Sequence, residues 1–302
     1  MGLFKRGLHV GVQLPQFQDD IKTLSVTMRH TIFVTHAVPA LRVRHLVPAN
    51  HFALDTLKIG GETCAIVQSV FAFNENLHYT PLPKPSLDFW SATYRVLTRA
   101  PLREDTGGVG APGSRMIRSD PAAWLVKSYL GAKAAWALQR AVAANSKGAE
   151  FNIIQRGDYN AVYIDVQPDD RSAATSIAVR AIAEQHPAQP FASWDKMTEF
   201  LTRRRNGYYD MAAIGSKENI GFVATDNPPM QPRNAQLIPV GGEVRESRLG
   251  VWEQLGVMET NEMRRPFSIL IQPQLAVVIA PPKLLRNDPV AALAPTRKHY
   301  EG

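Results

Sequence analysis

Apolar and β-branched residues dominate Phe52–Ile59 and Thr63–Phe73, and the two runs flank Gly60-Gly61. Adjacent glycines supply the positive φ angles of a two-residue turn, so the pattern predicts a β-hairpin. Leu87–Arg99 is a long run of aromatic and β-branched residues and reads as one strand. At period two, Ser91, Thr93 and Arg95 share one face of it, and Trp90, Ala92, Tyr94 and Val96 share the other. Further strands are predicted around His30–Thr35, over Glu150–Arg156 and Asn160–Val166 (joined by Gly157-Asp158), and over Tyr208–Ile214, Gly221–Thr225 and Gln236–Val240. Two more fall within Phe267–Ile279. Thr175–Ile182 fits either periodicity and is assigned as strand.

Helical signals are fewer. Pro39 and Pro48 bracket one or two turns. Asp120-Pro121 looks like a helix start, and Leu125, Tyr129, Ala132 and Trp136 follow at 4-3-4 spacing. These predict one long covering helix over about Pro121–Asn145. Ser193 caps a short helix ending near Arg203. Strands that never alternate regularly with helices disfavour a doubly wound fold. The expectation is a mainly β (α+β) chain with an antiparallel barrel. Residues 1–28 are read as an N-terminal arm, 29–282 as a single β-barrel domain and 283–302 as a C-terminal tail.

Of the 302 residues, 45 % are hydrophobic, which is ordinary for a packed core. The net charge of +7 and pI near 9.6 favour anionic ligands. The dense basic run Arg203-Arg204-Arg205 lacks the interleaved aromatics of a single-strand nucleic-acid platform, so no nucleic-acid partner is expected. No apolar stretch reaches the ~20 residues of a membrane span, and Met1–Arg6 has no signal-like apolar region. With one cysteine, the expectation is a cytoplasmic protein without disulfides. GxxxxGKS/T, GxGxxG after a strand, GxSxG and HExxH are all absent, and the histidines are dispersed. No cofactor or metal is expected.

Three ordered segments resemble the YqjF-like branch of the acetoacetate decarboxylase superfamily. The first runs from Pro39 through Leu46-Val47-Pro48 to Gly61 and Phe73, similar to a helix ending in LVP followed by a hairpin. The second, Thr93-Tyr94-Arg95-Val96-Leu97-Thr98-Arg99, is similar to a YRTYVR strand. The third, Phe200-Leu201-Thr202-Arg203-Arg204, is similar to FLTER, with Asn227–Pro232 standing where that branch has HPPWPLQ. The resemblance implies a barrel with an internal cavity in which a lysine forms a Schiff base with a β-keto acid. Asp120-Pro121-Ala122-Ala123 matches the run that precedes the decarboxylase lysine. Lys133 then stands at the lysine position, with Lys127 behind it. Gly131-Ala132-Lys133-Ala134 lacks the family's proline and second lysine, and Ser91 and Thr93 occupy positions where the branch has glutamate and asparagine. The other reading of Lys133 is a helix lysine reaching water.

Arg95, alone among hydroxyls on its strand face, is a candidate carboxylate clamp, with Ser91, Thr93 and Gln68 as polar lining. The alternative is a solvated strand face. The expected function is a lyase-like enzyme of decarboxylase or aldolase/dehydratase type. It would act on a small carboxylate-bearing carbonyl compound through a Lys133 Schiff base. The alternative is a non-catalytic barrel binding a small acidic or apolar ligand; a homo-oligomer is compatible with either. Cys64 follows a hairpin turn inside an apolar strand and has no partner cysteine. It is expected to be a buried free thiol, labelled by a bulky thiol reagent far more slowly in the native than in the unfolded protein.

Overall fold

The computed structural model describes residues 23–49, 51–80, 82–99, 103–104, 117–118, 121–132, 146–169, 173–204, 206–210, 220–239, 248–280 and 283–285. The first strands in chain order are β1 (Leu24–Pro39), β2 (Ala53–Leu54), β3 (Thr56–Ile59), β4 (Glu62–Tyr79) and β5 (Leu82–Arg99). After β6 (Arg103–Glu104) and β7 (Ile117–Arg118) come β8 (Pro121–Leu130), β9 (Ser146–Arg156), β10 (Ala161–Pro168) and β11 (Thr175–Ala181). The last are β12 (Asn206–Asp210), β13 (Ile220–Asp226), β14 (Arg233–Leu237), β15 (Arg248–Leu249), β16 (Ser268–Ile279) and β17 (Lys283–Leu285). The helices are α1 (Ala40–Val43), α2 (Trp194–Thr202), α3 (Gly250–Gln254) and α4 (Thr260–Met263). Only the β8–β9 and β8–β12 pairings are parallel among the described strands. The mainly β, antiparallel class read from the sequence is the one observed.

Several local signals act as expected. Gly60 and Gly61 turn β3 into β4 with φ of 59° and 88°. The Ser193 side chain accepts from the Lys196 amide and starts α2. Other expectations fail. Pro121–Leu130 is a strand, β8, and not the first part of a long helix; residues 133–145 of that expected helix lie outside the described residues. β8 is paired on both sides and packed on both faces, so it carries no period-two polar signal. Its apolar residues matched helical spacing by coincidence, and Pro121, as the first strand residue, costs little pairing. Ser268–Ile279 is one strand where two were expected. Pro273 falls opposite His30, a bulged residue with φ of 53°, and so interrupts little of the ladder. β1 starts at Leu24, inside the stretch read as an arm, and β17 lies in the stretch read as a tail.

One 15-stranded sheet runs β17-β13-β12-β8-β9-β10-β11-β14-β16-β1-β4-β5-β2, and β8 pairs again with β5 while β13 pairs again with β16. The sheet therefore closes twice on the shared strands β16, β1, β4, β5 and β8. One ring returns through β9, β10, β11 and β14, the other through β12 and β13.

The two faces of the shared strands serve different rings. Ile32, Val34, Val67, Phe71, Tyr94 and Val96 point into the first ring, where they join Ile164, Ile177 and Val179 in one continuous apolar core. Tyr94 crosses that core, its hydroxyl 2.6 Å from Thr175 Oγ1. The segment carrying α3 and α4 adds to the same core: Trp252 Nε1 donates to Ser69 Oγ at 2.9 Å, and Met263 is buried. The opposite face bears three smaller clusters. Phe33, Ile66, Val70, Leu97 and Leu270 pack under α2 through Met197 and Leu201. A second cluster groups Val26, Leu275 and Val277, and a third groups Tyr209, Leu125 and Val223.

His36 lies inside the structure at 2 % exposure, with Nε2 3.1 Å from the Met263 carbonyl and Nδ1 without a partner among the described residues. Burial lowers its pKa to about 4, against the opposing pull of that carbonyl and of Glu262. The unfolded chain takes up this proton below about pH 6.5, whereas the folded protein refuses it until about pH 4. Between those values the unfolded state binds more protons, so stability falls as pH falls. Urea unfolding across this window should show a loss of roughly 3 kcal/mol from this group, and His36→Gln should flatten the slope.

Candidate functional site

Five pairings align one cross-strand row on the face away from the first ring. Thr35 lies opposite Ser268 and Gln68, Gln68 opposite Arg95, Arg95 opposite Leu125, and Leu125 opposite Tyr209. Residues directly opposite one another share a face, so these side chains stand side by side inside the second ring.

Gln68 is fully buried and uses its whole amide. Nε2 donates to Thr35 Oγ1 at 3.1 Å and to the Leu201 carbonyl at 3.0 Å, and Oε1 accepts from Arg95 Nε at 2.9 Å. Leu201 sits in the last turn of α2, where carbonyls have no helical partner, so the amide also ties the helix end to the sheet. The Arg95 Cζ lies 5.7 Å from the Phe33 ring centroid. No carboxylate lies within ion-pair range of Arg95 among the described residues. By area Arg95 is half-buried. Burial of its head group, followed by the positive charge of Arg204, nonetheless lowers its pKa to about 10.

Arg204 has comparable surroundings but is compensated. Its Nη1 is 2.7 Å from Asp55 Oδ2, with the two side chains only 1 % and 4 % exposed. Arg99 Nε takes the other carboxylate oxygen at 3.2 Å. A cleft of about 620 Å³ opens beside this pair, walled by Asp55, Arg99, Lys196, Phe200, Arg203 and Arg204 among others, and Arg95 is not in its wall.

The structure brings Gln68 and Arg95 into contact and places Ser91 and Thr93 farther along the same strand face. Ser91 Oγ is already engaged, accepting from Asn74 Nδ2 at 2.8 Å. Thr93 is half-buried opposite Val70 and Ser128. Lys133 lies outside the described residues. Lys127 is opposite Tyr94, on the first-ring face, with Nζ 5.7 Å from the Tyr129 ring centroid. It does not share a face with Arg95. Tyr209, on β12, completes the cross-strand row beside Leu125. It is 4 % exposed, and its hydroxyl has no partner among the described residues. Burial pushes its pKa up to about 12. The available signal was the period-two step between Tyr208 and Tyr209, which sends one ring to each face. Among the described residues no group of three or more His, Cys, Asp or Glu is placed to hold a metal ion. No described helix is long and apolar enough to cross a membrane.

No protein-family model and no curated protein sequence matches the chain. Among solved structures it is similar to acetoacetate decarboxylase from Legionella pneumophila subsp. pneumophila str. Philadelphia 1, with a TM-score of 0.50 at 9 % identity over 92 % of this chain and 93 % of that one. The chain has the acetoacetate decarboxylase fold. Weaker likenesses are to the enduracididine biosynthesis enzyme MppR complexed with pyruvate (TM-score 0.45, 9 % identity, 90 % and 92 % covered). Another is to an acetoacetate decarboxylase-like enzyme from Sphingomonas wittichii RW1 (TM-score 0.44, 8 % identity, 88 % and 91 % covered).

The contrast between the two arginines gives an ordering of stabilities. Asp55→Ala strands the buried Arg204 charge and should cost about 3–5 kcal/mol. Arg95→Ala breaks no ion pair and should cost about 1 kcal/mol, the worth of one hydrogen bond. Urea unfolding of the two variants checks the order.

Proposed function

We propose that the chain is a lyase-type enzyme acting on a small carbonyl compound that bears a carboxylate, with Arg95 as the carboxylate anchor. The supporting observation is the state of Arg95. Its guanidinium is desolvated, oriented by Gln68 and backed by Phe33, yet faces no acid among the described residues. A desolvated cation without a counter-ion is unfavourable, and a bound carboxylate relieves it. The fold shared with acetoacetate decarboxylase supports the reaction class, and the three ordered sequence motifs support a place in the YqjF-like branch.

In this reading Lys133 supplies the Schiff-base amine. Its nitrogen adds to the substrate carbonyl carbon and water leaves, giving an iminium ion. For a β-keto acid the bond to the carboxylate carbon then breaks, carbon dioxide departs and the electron pair moves toward the iminium nitrogen. Protonation of the resulting enamine and hydrolysis return the lysine. Thr93 lines the same wall of the site as Arg95, and Gln68 fixes the guanidinium. Ser91 is the least available of the polar lining, because Asn74 already holds its hydroxyl. The buried free thiol of Cys64 agrees with a reducing, cytoplasmic setting.

Borohydride trapping with a panel of small keto acids, read by intact mass, tests this. The wild-type chain should gain the mass of a reduced adduct, and Lys133→Ala should gain none. Arg95→Ala should weaken carboxylate binding by about 1.5–3 kcal/mol. A chain that binds the acids through Arg95 but is never trapped is a binder without the lysine chemistry.

A further inference from the structure

We infer that the Tyr209 hydroxyl is a second ligand contact in the same site. It would donate a hydrogen bond to an oxygen other than the carboxylate held by Arg95, so that the site selects oxo or hydroxy acids over plain carboxylates. This rests on the reading of Arg95 as the carboxylate anchor.

The argument begins with a hydroxyl that packing does not need. Tyr209 is 4 % exposed, and its ring is held by Leu125 and Val223. A phenylalanine ring would fill that volume equally well. The hydroxyl, by contrast, has no partner among the described residues, and a buried polar group left unpaired is destabilising. Tyr208, the neighbouring residue, points the other way and packs on Phe52, with ring centroids 4.7 Å apart. Of the two tyrosine rings, only that of Tyr209 lies on the face that carries Arg95.

Placement supplies the second line. Arg95 and Tyr209 flank Leu125 in one cross-strand row, on either side of β8. Their backbones are thus two strand spacings apart, about 10 Å. Both side chains are long and stand on the same face of the sheet, one on each side of Leu125. Leu125 is itself half-buried and makes an apolar floor between them. The hydroxyl is a donor throughout the physiological range, since burial raises its pKa to about 12. It therefore matches a carbonyl or hydroxyl oxygen near the carboxylate.

Calorimetric titration with butyrate and 2-hydroxybutyrate tests the proposal, because the pair differs by one hydroxyl and neither forms an imine with lysine. Tyr209→Phe should weaken 2-hydroxybutyrate by about tenfold and leave butyrate unchanged, while Arg95→Ala should weaken both. Without ligand, Tyr209→Phe should melt no lower than the parent, since it removes an unpaired group. Equal effects of Tyr209→Phe on both acids, no effect on either, or a clear loss of ligand-free stability would overturn the proposal. If Arg95→Ala changes neither acid, or the parent chain binds neither at millimolar concentration, the anchor itself fails and the proposal fails with it.

Discussion

The pairing of β5 with β8 is the contact on which the architecture turns. From Ser91 opposite Leu130 to Arg99 opposite Pro121 it joins two strands that stand far apart along the sheet order. Without it β5 would be an open edge next to the short β2, and an edge of that length is a pairing hazard. With it, the sheet can enclose one ring on each face of the same shared strands. The cross-strand row that holds Gln68, Arg95, Leu125 and Tyr209 exists only because β5 and β12 both lie against β8.

Electrostatics then separates two neighbouring arginines. Arg204 is matched by Asp55, whose other carboxylate oxygen holds Arg99. Arg95 is fixed instead by an amide, which orients the guanidinium without neutralising it. Gln68 suits this position because it must donate twice and accept once; a carboxylate there could accept from Arg95 but could not donate to Thr35 and Leu201. The identity of the side chain at 68 thus decides that the neighbouring charge stays available.

The sequence carried those features whose causes are local. Gly60-Gly61 makes a turn because of its own backbone freedom, Ser193 caps the helix that follows it, and the alternation in Leu87–Arg99 puts Arg95 and Thr93 on one face. β8 was misread because a strand that contacts neighbours on both sides and both faces has no polar side to reveal its period. The reach of Gln68 to Leu201, and the pairing of Arg204 with Asp55, join residues distant in the chain, and nothing in either segment announces the other. Tyr209 showed the right parity, but an unused hydroxyl becomes visible only when its surroundings are known.

Dividing the shared strands between two rings has an evolutionary consequence. Tyr94, with its bond to Thr175, belongs to the face of the larger core, while its neighbours Thr93 and Arg95 belong to the opposite face, where we propose the ligand site. Adjacent codons therefore experience different selection. Changes at Thr93 and Arg95 act on the proposed site, while the even positions of this segment keep the chain folded. Such a scaffold can drift between chemistries without first passing through an unstable intermediate, and its descendants would keep the architecture long after their sequences had ceased to resemble one another.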